Sequence, residues 1–292
     1  MSPALTVEPL DFEAPINYFS PQKEKLRHEA LKPKQFGKPD DDSRVAKVHD
    51  LRGKEDQFTL ADNGFIFTEL KTSGKDEDFF NEEWVKSVYY KEVGEVVKKV
   101  TGCDLAIVYQ HVNRSAAQSL DESNPANMGD PAKNGPATKP HCDFSGEHMD
   151  AYPKLMGASL PKPIKDMWDS SSRWAMYGAW KPRVTITRDP LIVADSQSLR
   201  DEDYLPVERE VGPDGHKFIL GNYLIAQPSE ENAHKWYYLH RQRPDEIVIF
   251  GGTDTKQDKK GWRCAHTAAV NPHYVNDPPR ESIEVRCVAI WK

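Results

Sequence analysis

Apolar residues in this chain come mostly in short runs, and one stretch carries them at a helical period. From Asp76, "DEDFFNEEWVKSVYYKEVGEVVKKVTGC" puts Phe80, Trp84, Val88, Val93, Val96, Val97 and Val100 close to helical spacing. Acids open the stretch, lysines close it and Gly102 can end it, so the pattern predicts a helix. "GFIFTEL" (64–70) alternates as a half-buried strand does, and "DLAIVYQHV" (104–112) reads as another. In the second half, "RWAMYGAWKPRVTIT", "PLIVAD", "HKFILGNYLIAQ", "KWYYLHRQ", "EIVIFGGTD", "RCAHTAAV" and "SIEVRCVAIW" are rich in β-branched and aromatic residues. Gly, Pro, Asp and Asn divide them at intervals suited to antiparallel sandwiches and barrels. "YPKLMGASLPKPIKDMWDSSSRW" and "SLRDEDYL" read as helical connections. There is no βαβ alternation and no Gly-rich phosphate loop, which argues against a doubly wound nucleotide-binding fold. The expected class is mainly β with flanking helices.

Two polar regions frame this body. Residues 1–60 are rich in Pro, Lys, Asp and Glu, with apolar islands such as "INYF" and "VAKVHDLRG". They are expected to form an irregular arm packed on a single domain, residues 61–292. After the strand at 104–112, "NRSAAQSLDESNPANMGDPAKNGPATKP" shows no periodicity. So long a stretch inside a domain is expected to be a polar lid or binding insert, at about residues 113–138.

Composition narrows the partners. The 292 residues are 38% hydrophobic, enough for a large core. The net charge is -7 and the basic residues are scattered, so no nucleic-acid footprint is expected. No apolar segment approaches the roughly 20 residues that cross a bilayer, so no membrane span is expected. The four cysteines show no CxxC spacing and no signal-like segment opens the chain. A cytoplasmic, reducing location follows as the expectation. Monomer and homodimer both remain open.

The segment "KPHCDFSGEHMD" (139–150) delivers the chemistry. On an extended backbone, His141 and Asp143 point to the same side, because side chains alternate with period two. A third ligand from a neighbouring strand would complete the facial set of two histidines and one carboxylate that holds non-haem Fe(II) and leaves positions open. His266, in "WRCAHTAAV", is the candidate. Further on, "RESIEV" puts Arg280 and Ser282 on one face, a guanidinium and a hydroxyl suited to anchoring a dicarboxylate. His-x-Asp, a distant His and then Arg-x-Ser is the order expected of an oxygenase that uses Fe(II), 2-oxoglutarate and O2.

Taken singly, each element is weak. A chance HxD occurs in about one protein of this size in three, a lone buried histidine is usually structural, and most arginines are paired at the surface. His148 is a rival ligand in a turn. Cys142 alternates to the face opposite the ligand positions it flanks, and for both Cys142 and Cys264 structural packing is the better reading. Arg114, Arg173, Arg183 and Arg188 near the predicted strands outnumber what one co-substrate needs, which suggests a small carboxylate-bearing or amino-acid substrate; against this, the chain has 46 acids to pair them. Arg114 and Arg173, with Tyr109 and Trp236 as pocket wall, are the candidate substrate contacts. Three other readings compete: a cupin-like binding protein without turnover, an iron oxygenase not using 2-oxoglutarate, and a metal-free β-sandwich hydrolase or carbohydrate-binding domain.

The runs "GAWKPRVTITRDPLIVADSQSL", "KWYYLHRQRPDEIVIFGGTDT", "AHTAAVNP" and "PPRESIEVRCVAIW", with "VHDLRGKEDQFTLADNGFIF" before them, resemble the fungal and bacterial hydroxylase/desaturase family. That family includes fungal gibberellin desaturases and a component of the cephamycin 7-alpha-methoxylating system. The resemblance covers approximately residues 45–292. It implies a double-stranded β-helix, the cupin-like jelly roll, with iron at His141, Asp143 and His266 and 2-oxoglutarate at Arg280 and Ser282. It also implies specialised metabolism, with C–H abstraction leading to hydroxylation, desaturation or oxidative cyclisation, aziridine formation included. Two departures stand out: "YQHVNR" replaces the family's Phe-Asp-His-Thr before Arg114, and Ala268 and Ala269 stand where an aromatic residue is expected.

Overall fold

Alternation along the strands sorts this chain's side chains into layers, and the computed structural model shows how the layers stack. It describes residues 10–19, 43–115, 136–157, 160–211 and 218–292. In chain order the strands are β1 (Phe12–Asn17), β2 (Ser43–Asp50), β3 (Phe65–Glu69), β4 (Leu105–Ser115), β5 (His141–Cys142), β6 (Arg173–Pro182) and β7 (Leu191–Ala194). They continue with β8 (Tyr204–Val211), β9 (Phe218–Ile225), β10 (Trp236–Tyr238), β11 (Glu246–Asp254), β12 (His266–Ala268) and β13 (Glu281–Trp291). Eight form a sheet in the order β1-β2-β10-β7-β12-β5-β9-β8, and five form a second in the order β3-β11-β6-β13-β4. This is the jelly-roll class expected from the sequence.

Between the sheets, Leu191 and Val193 of the larger one pack with Phe65, Trp180, Val248 and Phe250 of the smaller. The outer face of the smaller sheet is covered by α1 (Tyr90–Thr101), whose Val93 and Val97 meet Ala179, Ile283 and Val285. Two short helices, α2 (Ala151–Gly157) and α3 (Lys162–Asp169), occupy the expected helical connection. Among the described residues, no helix is long and apolar enough to cross a membrane.

Three differences from the sequence reading have physical causes. The helical stretch opens at Asp76 with a 3-10 turn to Phe80 and starts again at Glu82 under an Asn81 cap, and a π-turn over Val85–Tyr89 then inserts an extra residue per turn and shifts the buried face. Phe79, Val85 and Tyr89 are buried in place of Phe80, Trp84 and Val88, and Phe80 is exposed. The arm is not irregular over its described residues. β1 and β2 alternate strictly enough to bury Phe12, Ala14, Ile16, Ala46 and Val48, which extends the larger sheet. Finally, β8 follows two 3-10 turns where a helical connection is expected. Its Pro206 and charges disguise it, and they belong to its place at the sheet's end, where edge strands carry such residues. Most of the polar insert, residues 116–135, lies outside the described residues.

Candidate active site

β5 is two residues long and lies between β12 and β9, which puts His141 directly opposite His266. The two imidazole centroids are 4.5 Å apart. Asp143, just past the strand, brings Oδ1 to 3.8 Å from His141 Nε2. Ligand atoms of His141, Asp143 and His266 all lie within 4.8 Å of one another. Both rings are oriented from behind: His141 Nδ1 lies 2.8 Å from the Lys139 carbonyl and His266 Nδ1 lies 3.3 Å from the Cys264 carbonyl. A carbonyl oxygen only accepts, so each Nδ1 carries the proton and donates. Nε2 then keeps the lone pair that a metal requires.

Two glycines make room for the walls. A Cβ at Gly178 would meet the Phe250 ring at 2.2 Å, and Phe250 packs on His266 with centroids 4.3 Å apart. A Cβ at Gly252 would meet Phe144, the residue after Asp143, at 2.5 Å. Small residues here are required by close approach.

Charge completes the corner formed by His141, Asp143 and His266. Burial opposes ionisation of Asp143, yet Arg286 and then the two histidines outweigh it and hold the carboxyl well below the usual range. Arg286 donates from Nη2 to Oδ1 at 2.8 Å and from Nε to Oδ2 at 3.1 Å. Its own pKa is raised, chiefly by Asp143. His266 is pushed down to about 4 by burial and then by His141, so at neutral pH it is the uncharged ligand form.

Arg280 and Ser282 lie on the opposing sheet, at the start of β13. Arg280 Nη1 donates to the Asp189 carbonyl at 3.0 Å, and its Cζ lies 5.3 Å from the Trp180 ring centroid. Arg280 Nε and the Ser282 hydroxyl are buried and find no hydrogen-bond partner among the described residues. Such donors cost about 1–3 kcal/mol each when nothing accepts from them, and a guanidinium N–H and a hydroxyl are both donors that a carboxylate can accept from. Burial, with Arg114 second, lowers the Arg280 pKa to about 9, so a bound anion relieves a strained cation.

The other candidates divide. Arg114 faces Ser282 across the β4–β13 pairing, with Nε 3.5 Å from Glu284 Oε2. Tyr109 lies at the bulge opposite Arg286 and Cys287 and, with Ile107, Met156, Leu160, Trp168 and Val288, lines a cavity of about 120 Å³. Arg173 is not brought to the site. It pairs with Trp291 at the far end of β6, about 30 Å along the strand from the level of Ser282, and its guanidinium is held by Asp254. Trp236 is not a pocket wall either; fully buried, it donates from Nε1 to the Tyr18 hydroxyl at 2.9 Å and ties the arm to the body. Arg183 pairs with Glu281 and Asp76, and Arg188 with Asp189. Each of the four arginines thus has a carboxylate partner, and the surplus of cations disappears. His148 meets Glu208 at 2.8 Å and lies outside the ligand group.

Sequence reasoning missed Glu284 and Arg286. Continuing the period of two from Arg280 and Ser282 reaches both, so "RESIEVR" held the signal.

A family model described as "Oxidoreductase/YMDC permease-like domain" matches residues 7–290. An "Alpha-ketoglutarate-dependent dioxygenase tstK" of Talaromyces stipitatus is 32% identical over 288 residues, covering 96% of this chain and 99% of its own. A "Hydroxylase/desaturase efuI" of Hormonema carpetanum is 32% identical over 84% of this chain and 83% of its own. Among solved structures, the "iron and alpha-ketoglutarate-dependent endoperoxidase NvfI with different conformation" superposes with a TM-score of 0.75 at 25% identity, covering 96% of this chain and 98% of that one.

Proposed function

The chain belongs to the fungal Fe(II)/2-oxoglutarate-dependent dioxygenases of the hydroxylase/desaturase family, and from that premise we propose that His141, Asp143 and His266 hold its iron while Arg280 and Ser282 anchor 2-oxoglutarate. The observation that carries the assignment is the convergence of three ligand atoms within 4.8 Å, with both histidine Nδ1 atoms already engaged. When bound, the iron with 2-oxoglutarate and O2 supplies the oxidant that removes hydrogen from a substrate C–H bond, the co-substrate ending as succinate and CO2. The protein's residues do the rest. Asp143 presents an anion, and the two histidines, each donating from Nδ1 to a backbone carbonyl, present Nε2. Arg280 and Ser282 grip the far carboxylate of the co-substrate through Nε–H and O–H. Phe144 and Phe250 keep the corner dry, which holds the oxidation on the substrate.

The substrate is a small molecule, and hydroxylation, desaturation, oxidative cyclisation and endoperoxidation are the outcomes in view. A carboxylate or amino-acid portion would meet Arg114 and compete there with Glu284. All five assigned side chains come from one chain, so either a monomer or a homodimer serves. A reducing, cytoplasmic setting belongs to the same reading, supported by four buried free cysteines.

Anaerobic titration with Fe(II) and then 2-oxoglutarate tests the assignment. A weak visible charge-transfer band is expected in the parent protein and absent in His266→Ala and Arg280→Ala. A band that survives in Arg280→Ala overturns the co-substrate anchor, and no band in the parent overturns the iron site.

A further inference from the structure

Asp143 sits just past a two-residue strand, and the orientation of its carboxylate is set from the other sheet. Arg286, on the face of β13 that carries Arg280 and Ser282, reaches across the sandwich and engages both oxygens: Nη2 to Oδ1 at 2.8 Å and Nε to Oδ2 at 3.1 Å. Its third nitrogen is tied as well, Nη1 donating to Gln110 Oε1 at 3.3 Å, and its Cζ lies 5.7 Å from the Phe144 ring centroid. The guanidinium plane is fixed at three points, and a fixed fork fixes the plane of the carboxylate it holds. Of the two oxygens, Oδ1 is the one near His141 Nε2, at 3.8 Å.

We propose that Arg286 is a positioning residue that turns Asp143 so that Oδ1 alone faces the metal, with Oδ2 retained by the Arg286 Nε–H. Resting on the iron assignment above, this adds a distinct claim: the fork, and not merely the positive charge, is required. A carboxylate released from the fork can swing both oxygens toward a cation and fill a position that the co-substrate needs. Lysine supplies a point charge without two parallel N–H donors, so the conservative variant separates geometry from charge.

The test is titration of the metal-free protein with Co(II), whose visible ligand-field bands report the number and arrangement of donors, in the parent, Arg286→Lys and Arg286→Met. Both variants are expected to show altered bands and an affinity changed by about tenfold or more, the scale for partners that orient a ligand. Lysine should rescue neither. An Arg286→Lys protein with the parent's bands and affinity overturns the proposal, because charge alone then suffices. Parent-like behaviour in both variants also overturns it and leaves the pair purely structural. If Arg286→Met fails to fold, Arg286→Lys decides alone. Parent protein that binds Co(II) no better than His266→Ala overturns the metal site itself and this inference with it, an outcome distinguishable from the other two.

Discussion

β13 separates two environments with one backbone. Its odd-numbered residues Ile283, Val285, Cys287 and Ala289 are all 0% exposed and meet α1 and the neighbouring strands in a dry layer. Its even-numbered residues Ser282, Glu284 and Arg286, preceded by Arg280, face the interior of the sandwich, where Asp143, His266 and Arg114 answer them. The dry face holds the strand in place through packing, which tolerates one apolar side chain for another of like volume but not a change of volume or a buried charge. The charged face is the reverse: Arg286 is matched to Asp143 and Glu284 to Arg114, so deleting one member of a pair strands the other, while Arg280 Nε and the Ser282 hydroxyl stand unmatched among the described residues. The strand is rigid because of one face and useful because of the other.

Substitutions can break or sharpen this contrast. The largest effect is expected from the charged side: His141→Ala should lower metal affinity by more than the roughly 100-fold that outer partners of a ligand cost, with a small change in unfolding midpoint, checked by Co(II) titration and urea denaturation. On the dry face, Ile283→Ala should do the opposite, removing about 2–5 kcal/mol of stability while the KM for 2-oxoglutarate of the folded fraction stays unchanged. Gly178→Ala should blur the two, because its Cβ drives Phe250 toward His266. About 1–3 kcal/mol of stability should go, together with metal affinity, both readable on the same sample.

Lys181 is the exception that sharpens the rule, since it pairs with Ile283 on the dry side, with Nζ 4.8 Å from the Phe79 ring. Burial pushes its pKa down from 10.5 to about 8. Between those values the unfolded chain holds the extra proton, so the group's contribution to stability rises as pH increases through that window. Lys181→Met should be more stable than the parent at pH 7, and the difference should shrink by pH 10 in paired urea titrations. The smallest effect expected is Ser282→Ala, a loss of about 0.5–1.5 kcal/mol in 2-oxoglutarate binding for one hydrogen bond removed.

Much of this was legible in residue order. Period-two runs in the second half, the His141-x-Asp143 pair, His266 and the Arg280-x-Ser282 pair are local patterns, and local backbone geometry translates them directly into strands and facing side chains. Continuing that period would also have pointed to Glu284 and Arg286. Residue order did not convey the π-turn at Val85–Tyr89, because it depends on how Phe79 and Tyr89 seat against the sheet. Nor did it separate Arg114 from Arg173: both are arginines near strands, and only strand register puts one opposite Ser282 and the other opposite Trp291. Trp236 is the same lesson, an aromatic residue whose neighbour, Tyr18, is more than two hundred positions away in the chain. Alternation, ligand types and their order are properties of neighbouring residues and follow from the sequence alone. Which charges meet, above all Asp143 and Arg286 at a separation of 143 residues, was decided by the pairing of two sheets, since no local rule specifies which strand lies across the core from which.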